Sequence, residues 1–345
     1  MRPVTILTAV FAMAASSFGD IVPIPGTQPV LPVFQRADLV CNCIVESLRV
    51  VDEQKRERGG KPFVWRSVVA TVRVKDSYNR EMPSDTRVDV AFEDEKPTVR
   101  ATPMLSDGEN GVMFLRLSAS SQLYEFADRF LGVTPFASLP VQQGAPGPAK
   151  LQSVLAGVLH TGGAQDQVNA MRLLEGFDKF DSGALAGLLT LSASADPEIA
   201  LSSLAVLLKA RMPGTVQRLE DYLSIYKGGR APVALLSVGA ELGAVNDAED
   251  LAPLEALTSS ENLSIKLGAM AAIRNARSPH SAGALAERLD DPNRDVRFLA
   301  VITLSEIFRK GGDYAPSVYL FEQNPDFYTG HWKSWWAEQR QAPSR

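Results

Sequence analysis

Cysteine and histidine are scarce in this chain: 345 residues hold two Cys, at 41 and 43, and three His, at 160, 280 and 331. Two Cys cannot build a disulfide framework, and the scattered His lack metal-ligand spacing, so neither a metal nor a cofactor is expected. Positive charge is not in excess either. With 35 Lys and Arg against 40 Asp and Glu, the net charge of −5 provides no basic field for a phosphate backbone, which excludes nucleic acid as a main partner. There is no P-loop, no G-x-S-x-G, no H-E-x-x-H and no C-x-x-C. The Gly pairs at 59–60, 162–163, 228–229 and 311–312 lack the spacing of a phosphate cradle. No catalytic residue is assigned on these grounds. Beyond the first segment no run of ~18 apolar residues occurs, so the processed chain is expected to have no integral membrane span.

What is present is the composition of a folded protein long enough for two domains, 45% apolar and 22% charged. Residues 1–19 read as an export signal: Arg2, an apolar stretch from Val4 to Ala15, then small residues with Ser17 and Gly19 at the −3 and −1 positions of a cleavage before Asp20. The apolar core is shorter than the ~20 residues a spanning helix needs, so the expected location is extracytoplasmic, periplasmic or secreted. Residues 20–35 contain four Pro and are expected to form an extended leader.

Residues 36–140 carry strand patterns. In Ala37–Glu46 the side chains of Leu39, Cys41, Cys43 and Val45 share one face at period two. The thiols read as two small buried apolar groups; a redox or metal pair is the sharper alternative, weakly supported by C-x-C alone. The mixed-charge stretch from Asp52 to Lys61 reads as a solvated hairpin tip. Strands are expected over Ser67–Lys75, Thr86–Phe92 and Val112–Leu117, giving a small antiparallel barrel or sandwich. The order Ala37-Asp38-Leu39-Val40, the strand around Val69 to Val74, Arg87-Val88-Asp89-Val90 and Gly108-Glu109-Asn110-Gly111-Val112-Met113-Phe114-Leu115 resembles the netrin-like domain shared with tissue inhibitors of metalloproteinases, which implies an OB-like barrel. Those inhibitors bind the protease zinc through an amino-terminal Cys. Cys41 and Cys43 lie inside the first strand, so that chemistry is not carried over.

Residues 141–149 are rich in Pro and Gly and mark a linker, with a domain boundary near 148. Beyond it the pattern turns helical and repeats. Ala284-Leu285-Ala286-Glu287-Arg288-Leu289-Asp290-Asp291-Pro292-Asn293-Arg294-Asp295-Val296-Arg297 with Ala300 and Leu304 resembles the HEAT repeat, and aligning on Val296 brings in Ile265, Val233, Ile199 and Val168 at steps of 31, 32, 34 and 31 residues. The resemblance implies a HEAT-type α-α superhelical solenoid of about five helix pairs over residues 150–312, with Asp295 and Arg297 holding neighbouring repeats together. Trp332, Trp335 and Trp336, at i, i+3 and i+4, form one helical stripe in the tail, residues 313–345. The stripe either caps the last repeat or anchors a partner, since Trp is prominent among interface hot spots. These three are the candidate partner-binding residues.

The expected protein is therefore multidomain, a small antiparallel β domain followed by an all-α solenoid, and acts as an exported, non-enzymatic scaffold for a protein partner. Two alternatives stay open: a protease-inhibitor-like or ligand-binding β domain carried on a solenoid spacer, and an enzyme similar to the HEAT-type bilin lyases.

Overall fold

The structure, a computed structural model, describes residues 30–96, 105–128, 131–226, 232–308 and 314–341. Residues 1–19, expected as an export signal, and residues 20–29 of the expected leader lie outside them. A β region comes first and a helical region follows, and contacts divide the described residues into two compact units, 30–194 and 195–341.

In the first unit, helix α1 (Val30–Arg36) precedes strands β1 (Leu39–Arg58), β2 (Lys61–Ser77), β3 (Thr86–Lys96), β4 (Asn110–Leu117), β5 (Tyr124–Phe126) and β6 (Val133–Pro135). The end of the leader is thus helical, not extended. Pro32 falls in the first turn of α1, where its missing N–H would have had no intrahelical partner anyway.

The sheet order is β1-β2-β3-β5-β4-β6, and β1 also pairs with β4, so five strands close into a ring with β6 as an outrigger on β4. The expectation of an all-antiparallel domain fails at one seam, where β3 and β5 run parallel through Val90 and Tyr124. A closed ring with an odd number of strands cannot alternate direction throughout, so at least one neighbouring pair must be parallel. Inside the ring lie Leu39, Cys41, Cys43, Val45, Ala70, Val72, Val74, Val90, Met113 and Leu115, the alternate residues of the strands.

Cys41 and Cys43 are bridged, with Cα atoms 5.7 Å apart, which corrects the expectation of two separate thiols. The β1–β2 register shifts between Asn42 and Cys43, and such a bulge bends the strand and lets next-but-one side chains meet. The hairpin tip expected over Asp52 to Lys61 is solvated as expected, but its arm Asp52–Arg58 is strand and not turn. It pairs residue for residue with Lys61–Ser67, and the turn is confined to Gly59 and Gly60, both left-handed at φ +56° and +75°. Charge on both faces signals a ribbon solvated on both sides, which period-two reasoning built on one buried face does not detect.

The helices α2 (Pro148–Thr161), α3 (Ala164–Glu175) and α4 (Ser182–Leu191) belong to this first unit, so the division falls at Ser194 and not near 148. Polar ties explain it. Asp166 accepts from the Ala137 amide at 2.9 Å, Asn169 donates to the Pro135 carbonyl at 2.7 Å, and Gln142 exchanges hydrogen bonds with Ser153 across the expected linker. Lys150 on α2 meets Asp76 of β2 at 2.6 Å, both side chains about nine-tenths buried, and also donates to the Ser77 carbonyl. Removing one member leaves the other charged and desolvated. Lys150→Met is expected to cost about 3–5 kcal/mol, seen as a lower urea midpoint at unchanged slope.

The second unit contains α5 (Pro197–Lys209), α6 (Thr215–Ile225), α7 (Pro232–Leu242), α8 (Leu251–Leu257), α9 (Leu263–Ala276), α10 (Ala282–Glu287), α11 (Arg294–Ile307), α12 (Val318–Gln323) and α13 (Pro325–Gln341). The aligned residues fall in the first two turns of a helix each time: Val168 in α3, Ile199 in α5, Val233 in α7, Ile265 in α9 and Val296 in α11. Four of them are buried, whereas Val233 is 43% exposed and Ala234 and Leu235 take its place in the core. Side-chain caps start several of these helices, with Asp196, Asn262 and Asn293 accepting from first-turn amides.

The tie to a neighbouring helix pair expected of Asp295 and Arg297 is not formed among the described residues. Asp295 pairs with the adjacent Arg294, and Arg297 donates to the Asp291 and Pro292 carbonyls of its own turn. The bridging acid is Asp291, which meets Lys266 of α9 at 2.6 Å, and Arg274 of α9 pairs with Glu306 of α11. Burial alone would raise the Asp291 pKa, but the bonds from Lys266 and from the Asn293 amide outweigh it and hold the carboxyl below its usual value. A depressed carboxylate pKa gives stability that is present above the unfolded-state value and lost as pH falls through the folded-state value. The wild type is therefore expected to lose stability below about pH 4 more steeply than Asp291→Asn does, in a comparison of urea midpoints across pH.

Candidate functional site

A cleft of about 310 Å³ opens in the second unit where the ends of α5 and α7 approach the start of α6. Local chain geometry builds it. After Lys209 the chain turns through Arg211, whose left-handed φ of +53° lets its amide donate to the Leu208 carbonyl while the Met212 amide reaches back to Leu207. Gly214, at φ +74°, redirects the chain into α6, and the Thr215 hydroxyl donates to the Met212 carbonyl at 2.6 Å. On the other side α7 ends at Leu242, and the chain passes through Ala244, Val245 and Asn246 into a short 3-10 turn, Ala248–Asp250.

Leu208, Met212, Val216 and Val245 supply apolar walls, while four carboxylates, Glu241, Asp247, Glu249 and Asp250, stand against two cations, Lys209 and Arg211. Two of the four, Glu241 and Asp250, sit where their charged form is disfavoured. Burial raises the Glu241 pKa, with Lys209 opposing, and burial followed by the neighbouring Asp247 and Glu249 raises that of Asp250. A cation entering the cleft would relieve both groups. The volume fits one long side chain, whose methylene stem would lie on the apolar wall while its charged head meets the carboxylates. Among the described residues no group of three or more His, Cys, Asp or Glu is placed to hold a metal ion.

The tryptophans of the tail do not line this cleft. Trp332 is fully buried and donates to the Tyr314 carbonyl at 3.1 Å, Trp335 is 7% exposed and sits 4.5 Å from the Phe308 ring, and Trp336 packs beside Gly283. Burial of Trp332 and Trp335 fits the capping reading of the stripe, while Trp336 is half-buried. Their i, i+3, i+4 stripe faces the core of the second unit, and the large apolar side chains left exposed on α12 and α13 are Tyr319, Leu320 and Phe327. The cleft escaped sequence reasoning because Lys209 and Asp250 are far apart along the chain. The acidic run Asp247, Glu249 and Asp250 after a helix end was its one visible mark. Compared with known proteins, the chain matches no family model and no curated sequence. No helix of the described residues is long and apolar enough to cross a membrane.

Proposed function

We propose that the chain is an exported, non-enzymatic protein-protein interaction scaffold, in which an OB-like β domain precedes a HEAT-type solenoid and the acidic cleft of the helical region receives a Lys or Arg of a partner protein. The carrying observation is the cleft itself, where Glu241 and Asp250, both with pKa values raised by burial, stand with two further carboxylates beside an apolar wall, in a space large enough to admit one long side chain. The repeated opening of helices at steps of 31 to 34 residues supports the solenoid reading, and the ring order β1-β2-β3-β5-β4 with its parallel seam supports the OB-like one. Export rests on Arg2 and the apolar stretch Val4 to Ala15.

Binding of a cation favours the ionised acids, so it releases protons and tightens as pH rises through the range in which Glu241 and Asp250 ionise. Fluorescence anisotropy with labelled peptides holding a single central Arg, Lys or Glu is expected to rank Arg and Lys above Glu. Affinity for the Arg peptide should rise with pH and fall about tenfold or more in Glu241→Gln/Asp250→Asn. Equal binding of all three peptides, or an unaffected variant, would contradict the assignment.

A further inference from the structure

The ribbon formed by β1 and β2 offers a second interaction surface. Pairing of β1 with β4 covers Leu39 to Ile44, and the amide and carbonyl of Val45 still bond Glu109 and Gly108. Beyond Val45, among the described residues, β1 has a neighbour only on the β2 side. Every residue from Arg49 to Arg58 is exposed, Val50 and Val51 at 49% and 56%. An open strand edge of this length presents unpaired N–H and C=O groups to any strand that matches it.

The edge matches itself. The ladder with β2 shifts register between Val50 and Asp52 and then runs regularly to Arg58, so the straight part of the edge begins at Asp52. Two copies related by a twofold axis would pair antiparallel, and opposite residues in such a ladder share a face, so the symmetric register must centre on a residue and not between two. Centring on Gln54 sets Asp52 opposite Arg56, Glu53 opposite Lys55, and both pairs again through the symmetry. Shifting the centre to Lys55 sets Glu53 against Glu57 and Lys55 against itself, and shifting it to Glu53 sets that acid against itself. Like charges directly opposite destabilise a ladder, so Gln54 is the favoured centre. Within one chain Gln54 already links Asp52 at 2.7 Å and Arg56 at 2.8 Å, which lines the three side chains along one face.

We propose that two copies of this chain associate edge to edge through β1, with the twofold axis at Gln54 and Asp52 paired to Arg56 across the interface. The ladder is short and charged, so the dimer is weak and loosens with salt.

Sedimentation equilibrium of the whole chain is expected to show a monomer-dimer equilibrium. Asp52→Arg and Arg56→Asp should each weaken it about tenfold or more, because both symmetry-related pairs between positions 52 and 56 become like-charged. Mixing the two variants should restore association, since each then supplies the charge the other lacks, and the double variant Asp52→Arg/Arg56→Asp should dimerise alone. Gln54→Cys should form an interchain disulfide under mild oxidation, whereas Glu57→Cys should not. Circular dichroism verifies that each variant is folded, and the Gln54→Cys cross-link stands as an independent readout should a charge variant fail. A chain that stays monomeric up to about a millimolar without cross-linking overturns the proposal. A dimer indifferent to Asp52→Arg and Arg56→Asp overturns it equally.

Discussion

Replacing Trp332 by Ala is expected to destabilise the second unit by about 3–5 kcal/mol. Trp332 is the largest of the fully buried side chains, its indole lies 5.3 Å from that of Trp335 in an edge-to-face arrangement, and its N–H satisfies the Tyr314 carbonyl. Truncation empties that volume and leaves the carbonyl without its donor. Trp332→Phe keeps most of the packing and loses the hydrogen bond, so it should cost about 1–3 kcal/mol. Hydrogen exchange would locate the effect: α11, α12 and α13 should open together in the Ala variant while the β strands keep their protection. A loss below about 1 kcal/mol would mean that the tail is not a cap, and the stripe would again be free for a partner.

Gly268→Ala separates two physical effects by sign. Helix propensity alone gives a gain of about 1 kcal/mol for this change. In this fold, however, a Cβ on Gly268 of α9 would lie 2.3 Å from the Gly239 carbonyl oxygen of α7, and one on Gly239 would lie 2.5 Å from that of Ser264. Backbone atoms are in the way, so no side chain can swing aside, and the helices must part. The expected outcome is a net loss of about 1–3 kcal/mol. Gly330→Ala is the matched control, since Gly330 sits within α13 and a Cβ there meets nothing within 4 Å. That change should stabilise by up to about 1 kcal/mol. Because α7 also carries Glu241, parting α7 from α9 should weaken binding at the cleft, whereas Gly330→Ala should leave it unchanged.

The step of 31 to 34 residues was legible because Ile199, Ile265 and Val296 are each buried near the start of a helix, where packing demands an apolar residue. Val233 shows the limit: an apolar residue at the right step lies exposed because the next two residues face the core of α7 instead. Strand positions were legible where one face is buried, as in Val72 and Val74. They were illegible in Asp52–Arg58, where both faces are wet and hydrophobic alternation is missing. The bridge between Cys41 and Cys43 depends on a register shift that no local pattern announces. Asp291, and not Asp295, ties the turn before α11 to α9, because the turn at Pro292 aims it at Lys266, a distance in sequence that only the packed helices close. The cleft is of the same kind: its acids and cations come from separate turns, and the raised pKa values of Glu241 and Asp250 arise from burial, which is a property of the fold.

Engagement of a protein partner is assigned to the cleft and not to the tryptophan stripe. It is tested most directly by affinity capture from native extracytoplasmic extract, with the whole chain from residue 20 and its Glu241→Lys/Asp250→Lys variant as parallel baits of verified fold. The expected result is a partner bound by the wild type, eluted by raised salt, and absent from the variant. A partner retained equally by both baits would contradict the account and move the binding surface away from the cleft.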